Sequence, residues 1–223
     1  MTVADKILSF YQSLTPPPGL PPEVVVLNPY KDEQAMEAST LFYRKYYDDQ
    51  QERIVLFGIN PGRFGGGLTG VPFTDPIHLE ESCGIKNELD KRPELSSKFI
   101  YEVIAAYGGP DLFYQKLYLS AVSPLGFVRD GRNLNYYDIA DWPSIFEQYA
   151  LECIQQQLAL PLSRKVAFSI GQGENLKFLN VLNDKYHLFD EILTVPHPRW
   201  VMQYRLKRKV EFVNQYLERL SKA

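Results

Sequence analysis

Four short apolar segments, at 54–60 (IVLFGIN), 117–124 (LYLSAVSP), 165–171 (KVAFSIG) and 191–198 (EILTVPHP), constrain this fold more than any other feature. Each is rich in β-branched or aromatic residues and runs into glycine, proline or polar residues at its C-terminal end. Strands buried on both faces and ending in loops have this pattern. Helical periodicity fills the gaps between them. Leu95, Phe99, Val103 and Tyr107 recur every four residues, as do Phe146, Ala150, Ile154 and Leu158. Met202, Leu206, Val210, Val213, Leu217 and Leu220 form one stripe over 202–220. The alternation predicts an α/β protein, a three-layer α/β/α sandwich around a central, mainly parallel four-stranded sheet. Ligands are expected at the C-terminal ends of the strands. Ahead of the sheet, 3–14 reads as a helix and 15–22 (TPPPGLPP) as a proline-rich arm, because proline donates no amide hydrogen. Segment 23–28 reads as a short strand or extended chain and 32–47 as a helix, so that 1–223 forms one domain.

Hydrophobic residues make up 45% of the chain and charged residues 23%, enough for a substantial core and unlike a disordered chain. No apolar run approaches the roughly 18–20 residues that span a bilayer. The first residues lack the basic region and small-residue cleavage site of a secretory leader. Cys83 and Cys153 are too few for a disulfide framework or a four-cysteine metal site. A monomeric cytoplasmic protein with no membrane, metal or cofactor is expected. Lys+Arg number 24 against 27 Asp+Glu, a net charge of −3. On charge alone that disfavours nucleic acid as a partner. The total conceals the last 27 residues, which hold seven basic residues (Arg199, Arg205, Lys207, Arg208, Lys209, Arg219, Lys222) against Glu211 and Glu218. Such a run is either a solvated helix face or a rim that meets phosphates.

Segment 58–73, GINPGRFGGGLTGVPF, follows the first strand and holds six glycines within 58–70. Glycines let backbone amides face an anion, so a phosphate cradle is one reading. The GK[ST] ending of a P-loop is missing, and no clean GxGxxG opens a helix. A pocket wall is another, with Asn60 held at the strand end by Pro61 and Phe73 delivered as an aromatic surface. The third is structural, since Asn at a strand end commonly caps its own loop.

The same segment resembles the first motif of the uracil-DNA glycosylase superfamily, in particular its single-strand-selective monofunctional branch. That pattern reads GMNPGPFGxxxTGVPF, and the thirteen-residue spacing from Asn60 to Phe73 is the same. The mismatch-specific branch shares GINPG. The resemblance continues through 109–114 (GPDLFY), 123–125 (SPL) and 131–134 (GRNL), and ends at 195–199 (VPHPR), which is similar to the second motif, HPSPRN. It implies a metal-independent DNA glycosylase acting on single- or double-stranded DNA. The enzyme would flip out uracil, a 5-substituted uracil or another deaminated base, hydrolyse its N-glycosidic bond and leave an abasic site. Neither motif contains the lysine that a Schiff-base mechanism needs, which makes it monofunctional.

By this resemblance Asn60 positions the attacking water, His197 stabilises the departing base anion, and Phe73 stacks on the base. Gly58, Ile59, Pro61, Gly62 and Phe64 belong to the pocket wall, although Phe64 reads equally as packing beneath the loop. Gly62 falls where the classical uracil-specific branch has a tyrosine that blocks 5-methyl groups, so 5-hydroxymethyluracil is expected to fit. Two departures stand out. Where the family reads the uracil edge with an asparagine, this chain has Ala121, leaving Ser120, Ser123 or backbone groups to recognise the base. After His197 the chain (HPRWVMQYR) is shortened, and Arg199, Trp200, Val201 and Met202 are candidates to fill the gap the base leaves. Arg63, Arg205, Lys207 and Arg208 are expected to contact DNA, with Arg132 on the same surface. Two other classes stay open: a lesion-binding module without cleavage, and a nucleotide-binding hydrolase using the glycine-rich loop.

Overall fold

The computed structural model describes residues 1–222. Its elements in chain order are α1 (Val3–Ser13), β1 (Val25–Leu27), α2 (Glu33–Tyr47), β2 (Arg53–Gly58), α3 (Gly66–Thr69), α4 (Pro76–Glu81), α5 (Leu95–Tyr107), α6 (Pro110–Lys116) and β3 (Leu117–Ala121). Then follow β4 (Gly126–Arg129), β5 (Arg132–Leu134), α7 (Trp142–Gln157), β6 (Leu162–Ile170), α8 (Glu174–Tyr186), β7 (Glu191–Val195), α9 (Pro198–Tyr204) and α10 (Lys209–Leu220). All four apolar segments become strands of one parallel sheet, in the order β3-β2-β6-β7. Parallel strands need helical crossovers, and these cover the sheet: α6 packs on β2 and β3, α8 on β6 and β7, and α10 on β7. The three-layer α/β/α sandwich is therefore the fold. Among the described residues no helix is long and apolar enough to cross a membrane.

The sheet is anchored at the N-terminal end of β2 by Arg53, only 1% exposed. All five of its N–H groups are bonded: Nε to the Tyr114 carbonyl (2.7 Å), Nη1 and Nη2 to the two Asp49 carboxylate oxygens (2.8 Å each), and the remaining two to the carbonyls of Gln51 and Tyr46. The guanidinium also lies over the Tyr47 ring, 4.6 Å from its centroid. Its hydrogen bonds hold the Asp49 carboxyl below the usual carboxylate range. A buried cation so fully satisfied ties α2, α6 and β2 together, and removing it would orphan five acceptors.

Two parts of the fold differ from the sequence reading. The stripe over 202–220 is not one helix. Helix α9 ends at Tyr204, a 3₁₀ turn covers Leu206–Arg208, and α10 starts at Lys209. The break resets the 3.6-residue phase, which leaves Leu206 56% and Val210 68% exposed while Met202, Val213 and Leu220 stay buried. The second is a small antiparallel sheet, β1-β4-β5, beside the main one. Strands β4 and β5 form a hairpin turning at Asp130 and Gly131, both with positive φ (51° and 69°), as a type I′ turn requires.

Candidate active site

Strand register sets Gly58 beside Ala121 and Ile170 beside Val195. Asn60 and His197, each two residues beyond a strand, therefore emerge at one C-terminal edge of the sheet, Asn60 beside the point between β2 and β6 where the strand order reverses. Open α/β sheets bind ligands at such an edge. Both line a single cleft of about 750 Å³, counted out to its open mouth, together with Gly58, Ile59, Pro61, Gly62, Phe73, Ser120, Ala121 and Arg199.

The glycine-rich loop shapes this cleft by folding back on itself. The amides of Gly65 and Gly67 both donate to the Gly62 carbonyl (3.2 and 2.9 Å), and those of Thr69 and Gly70 to the carbonyls of Gly65 and Gly66. These four amides have no hydrogen left for an anion. What the glycines permit is close approach. A Cβ on Gly58 would lie 2.6 Å from the Phe73 ring, so only glycine lets that ring cover the end of β2. Phe73 itself has φ +56°, a left-handed conformation costly for an aromatic residue. It is held there by Thr69, whose hydroxyl donates to the Thr74 carbonyl at 2.8 Å.

Asn60 bridges to the hairpin. Its Nδ2 donates to the Leu134 carbonyl (3.0 Å), and its Oδ1 accepts from the Tyr136 amide (2.9 Å). The second lone pair of Oδ1 is left for a water. The hydroxyl of Ser120 donates to Gln157, and that of Ser123 to the Leu125 carbonyl at 2.9 Å. Ser123 lies outside the cleft; Ser120 lines it, but with its hydrogen given to Gln157 its hydroxyl has only acceptor lone pairs left for a base.

His197 caps α9: its Nδ1 accepts the Arg199 amide at 3.2 Å, which fixes the proton of the neutral ring on Nε2. Burial, reinforced by the Arg199 charge, pushes its pKa down to about 4. The ring is therefore neutral at physiological pH and presents an N–H donor. The opposite shift occurs at Glu94, on the loop before α5 in the same cleft. Burial and the neighbouring Asp75 push it up to about 7, against the pull of Arg199. Its Oε1 lies 2.7 Å from where a Cβ on Gly62 would stand. The absence of a side chain at Gly62 thus makes room for this carboxyl.

Other expected site residues spread over the rim. Phe64 is outside the cleft, beneath the guanidinia of Arg63 (4.4 Å) and Arg92 (5.2 Å), in a groove shared with Arg132, Asn133 and Arg199. Val201 and Met202 cannot fill a gap in DNA, because both are buried on the inner face of α9, which packs on α5. Trp200 is 39% exposed, edge-on to Phe212 and 4.9 Å from the Arg205 guanidinium, in a second groove with Tyr204. Lys207 is exposed, and Arg208 is paired with Glu211 at 2.7 Å. Sequence reasoning missed Glu94, Asn133, Leu134 and Asn135 as cleft residues. The Asp-Gly turn at 130–131, a hairpin signal, could have located the last three. Among the described residues no group of three or more His, Cys, Asp or Glu could hold a metal ion.

A family model described as the uracil DNA glycosylase superfamily matches residues 44–221. Among solved structures, the crystal structure of wild-type Pedobacter heparinus SMUG2 is 40% identical and superposes with a TM-score of 0.96, covering 100% of this chain and 98% of that one. A comparison with curated proteins returned no match.

Proposed function

The chain belongs to the uracil DNA glycosylase superfamily, and from that premise we propose that it is a monofunctional DNA glycosylase. It flips a uracil or otherwise deaminated base into the cleft, hydrolyses the N-glycosidic bond and leaves an abasic site. The observation that carries this reading is the neutral His197, its Nε2–H donor set across the cleft from Asn60. As the bond breaks, negative charge grows on the base, and a preorganised N–H donor stabilises that charge without a proton transfer. The free lone pair of Asn60 orients a water toward the sugar carbon; an amide has no basicity to do more. Phe73 supplies a face for the base, worth roughly 1–3 kcal/mol of stacking. No lysine lines the cleft among the described residues, which favours hydrolysis over Schiff-base chemistry. The exposed Trp200, Arg132, Arg199, Arg205 and Lys207, with the half-buried Arg63, would meet the DNA around the extruded nucleotide.

The test is single-turnover cleavage, in EDTA, of oligonucleotides bearing uracil, 5-hydroxymethyluracil, hypoxanthine or xanthine, single- and double-stranded. Alkali-labile sites are expected with at least one base and are expected to be much slower with Asn60→Ala and His197→Ala. Tight binding to damaged DNA with no abasic product at any enzyme concentration would replace this reading with that of a lesion-binding module.

A further inference from the structure

Most polar side chains of the cleft are already committed. Asn60 is bonded at both ends of its amide to the 134–136 backbone, Ser120 is bonded to Gln157, and position 121 carries only a methyl group. Glu94 differs. Its carboxyl is half-buried and borders the same cleft as Phe73 and His197. It makes no hydrogen bond or ion pair with any described residue; only the Glu94 backbone is engaged, its amide donating to Asp75 and its carbonyl accepting from the Lys98 amide. The carboxyl rests over Gly62 and Gly65, where a side chain at either position would collide with it. An uncommitted carboxyl in room cleared by two glycines is built to meet something that enters the cleft.

We propose that Glu94 reads the hydrogen-bonding edge of the bound base, the role that Ala121 leaves vacant; the inference rests on the glycosylase reading. A neutral carboxylic acid presents one acceptor and one O–H donor, the same pair as a carboxamide. That pair complements the adjacent N–H and carbonyl of uracil, hypoxanthine and xanthine. Its proton can sit on either oxygen, so it orders the pair less strictly than an amide does. The substrate class is thus keto bases generally, not uracil alone. Once ionised, the group only accepts and repels the base carbonyl. The charged groups facing Glu94 are Asp75, itself paired with His78, and Arg199 from α9. Arg63, Arg92 and Arg132 lie farther along the adjoining groove. Burial, reinforced by Asp75 and opposed by Arg199, puts the titration near neutral pH, at about 7, whereas His197 titrates near 4 and leaves this range to Glu94.

The test uses duplexes carrying deoxypseudouridine, the C-glycoside that keeps the uracil N–H and carbonyls but cannot be cleaved, compared with the same duplexes carrying a 2,4-difluorobenzene nucleoside of the same shape that lacks this hydrogen-bonding edge. Binding by the unaltered protein, Glu94→Gln and Glu94→Ala is followed by anisotropy from about pH 5.5 to about pH 8.5. The wild-type preference for the C-glycoside is expected to fall about tenfold as pH rises through neutrality, and the glutamine variant to keep its preference throughout. The alanine variant is expected to lose about ten- to a hundredfold. An alanine variant with the wild-type preference and profile, or a glutamine variant with the wild-type pH slope, overturns the assignment. Uracil release is measured in parallel. If no base is released yet the Glu94-dependent preference persists, cleavage fails and base reading stands. If base is released and the preference ignores Glu94, the reverse holds.

Discussion

Strand β2 has two unlike ends. At Arg53 every donor has a partner, the guanidinium is sealed beneath tyrosines, and the carboxylate beside it is held ionised. Five to seven residues on, around Gly58 and Asn60, the neighbouring Phe73 has a left-handed backbone, the Glu94 carboxyl lacks a partner and His197 is kept uncharged. One end favours stability through saturation, and the other keeps unsatisfied groups ready for a ligand. Side chains a short distance apart on one strand can therefore be altered with separable effects on folding and on chemistry.

The sharpest separation is expected at His197. His197→Ala should slow single-turnover release by about 10²–10³-fold, with a melting temperature within a few degrees of wild type. Arg53→Ala should do the opposite. It should lower the free energy of unfolding by about 3 kcal/mol in urea titrations, while the protein still folded keeps its rate. If Arg53→Ala slowed the folded enzyme as much as His197→Ala does, the two ends would not be independent. Phe73→Ala should weaken binding to an extruded base by about 1–3 kcal/mol, read as KM with little change in kcat. Acid melts give a smaller effect. The Asp49 carboxyl is depressed, so its stabilising pair is intact above the unfolded carboxylate value, about 3.9, and is lost as pH falls through the lower folded value. Arg53→Met should flatten that acid limb. The smallest change is expected at the rim, where Arg205→Ala should reduce the salt dependence of DNA binding by about one phosphate contact without altering base preference.

What could be read in the sequence follows from how local each signal is. The four parallel strands and their helices were legible because burial on both faces writes itself into contiguous apolar runs. Helices α9 and α10 were merged, because the stripe continues across Arg205 although the chain direction changes there. Asn60, Phe73 and His197 were legible through two short motifs that each carry their own turn. Val201 and Met202 looked like wedge residues until α9 turned them inward. Glu94 left no trace, since it meets Gly62 and Gly65 only through long-range folding of an ordinary loop.

The contact between Gly58 and Phe73 also has a hereditary consequence. With only 2.6 Å between a prospective Cβ and the ring, position 58 cannot gain a side chain while the ring stays in place. A smaller residue at 73 lifts that constraint, whereas Gly58 places none on position 73. Descendants of this chain are therefore expected to lose Gly58 only after Phe73 has changed, an order of substitution and not a mutual lock.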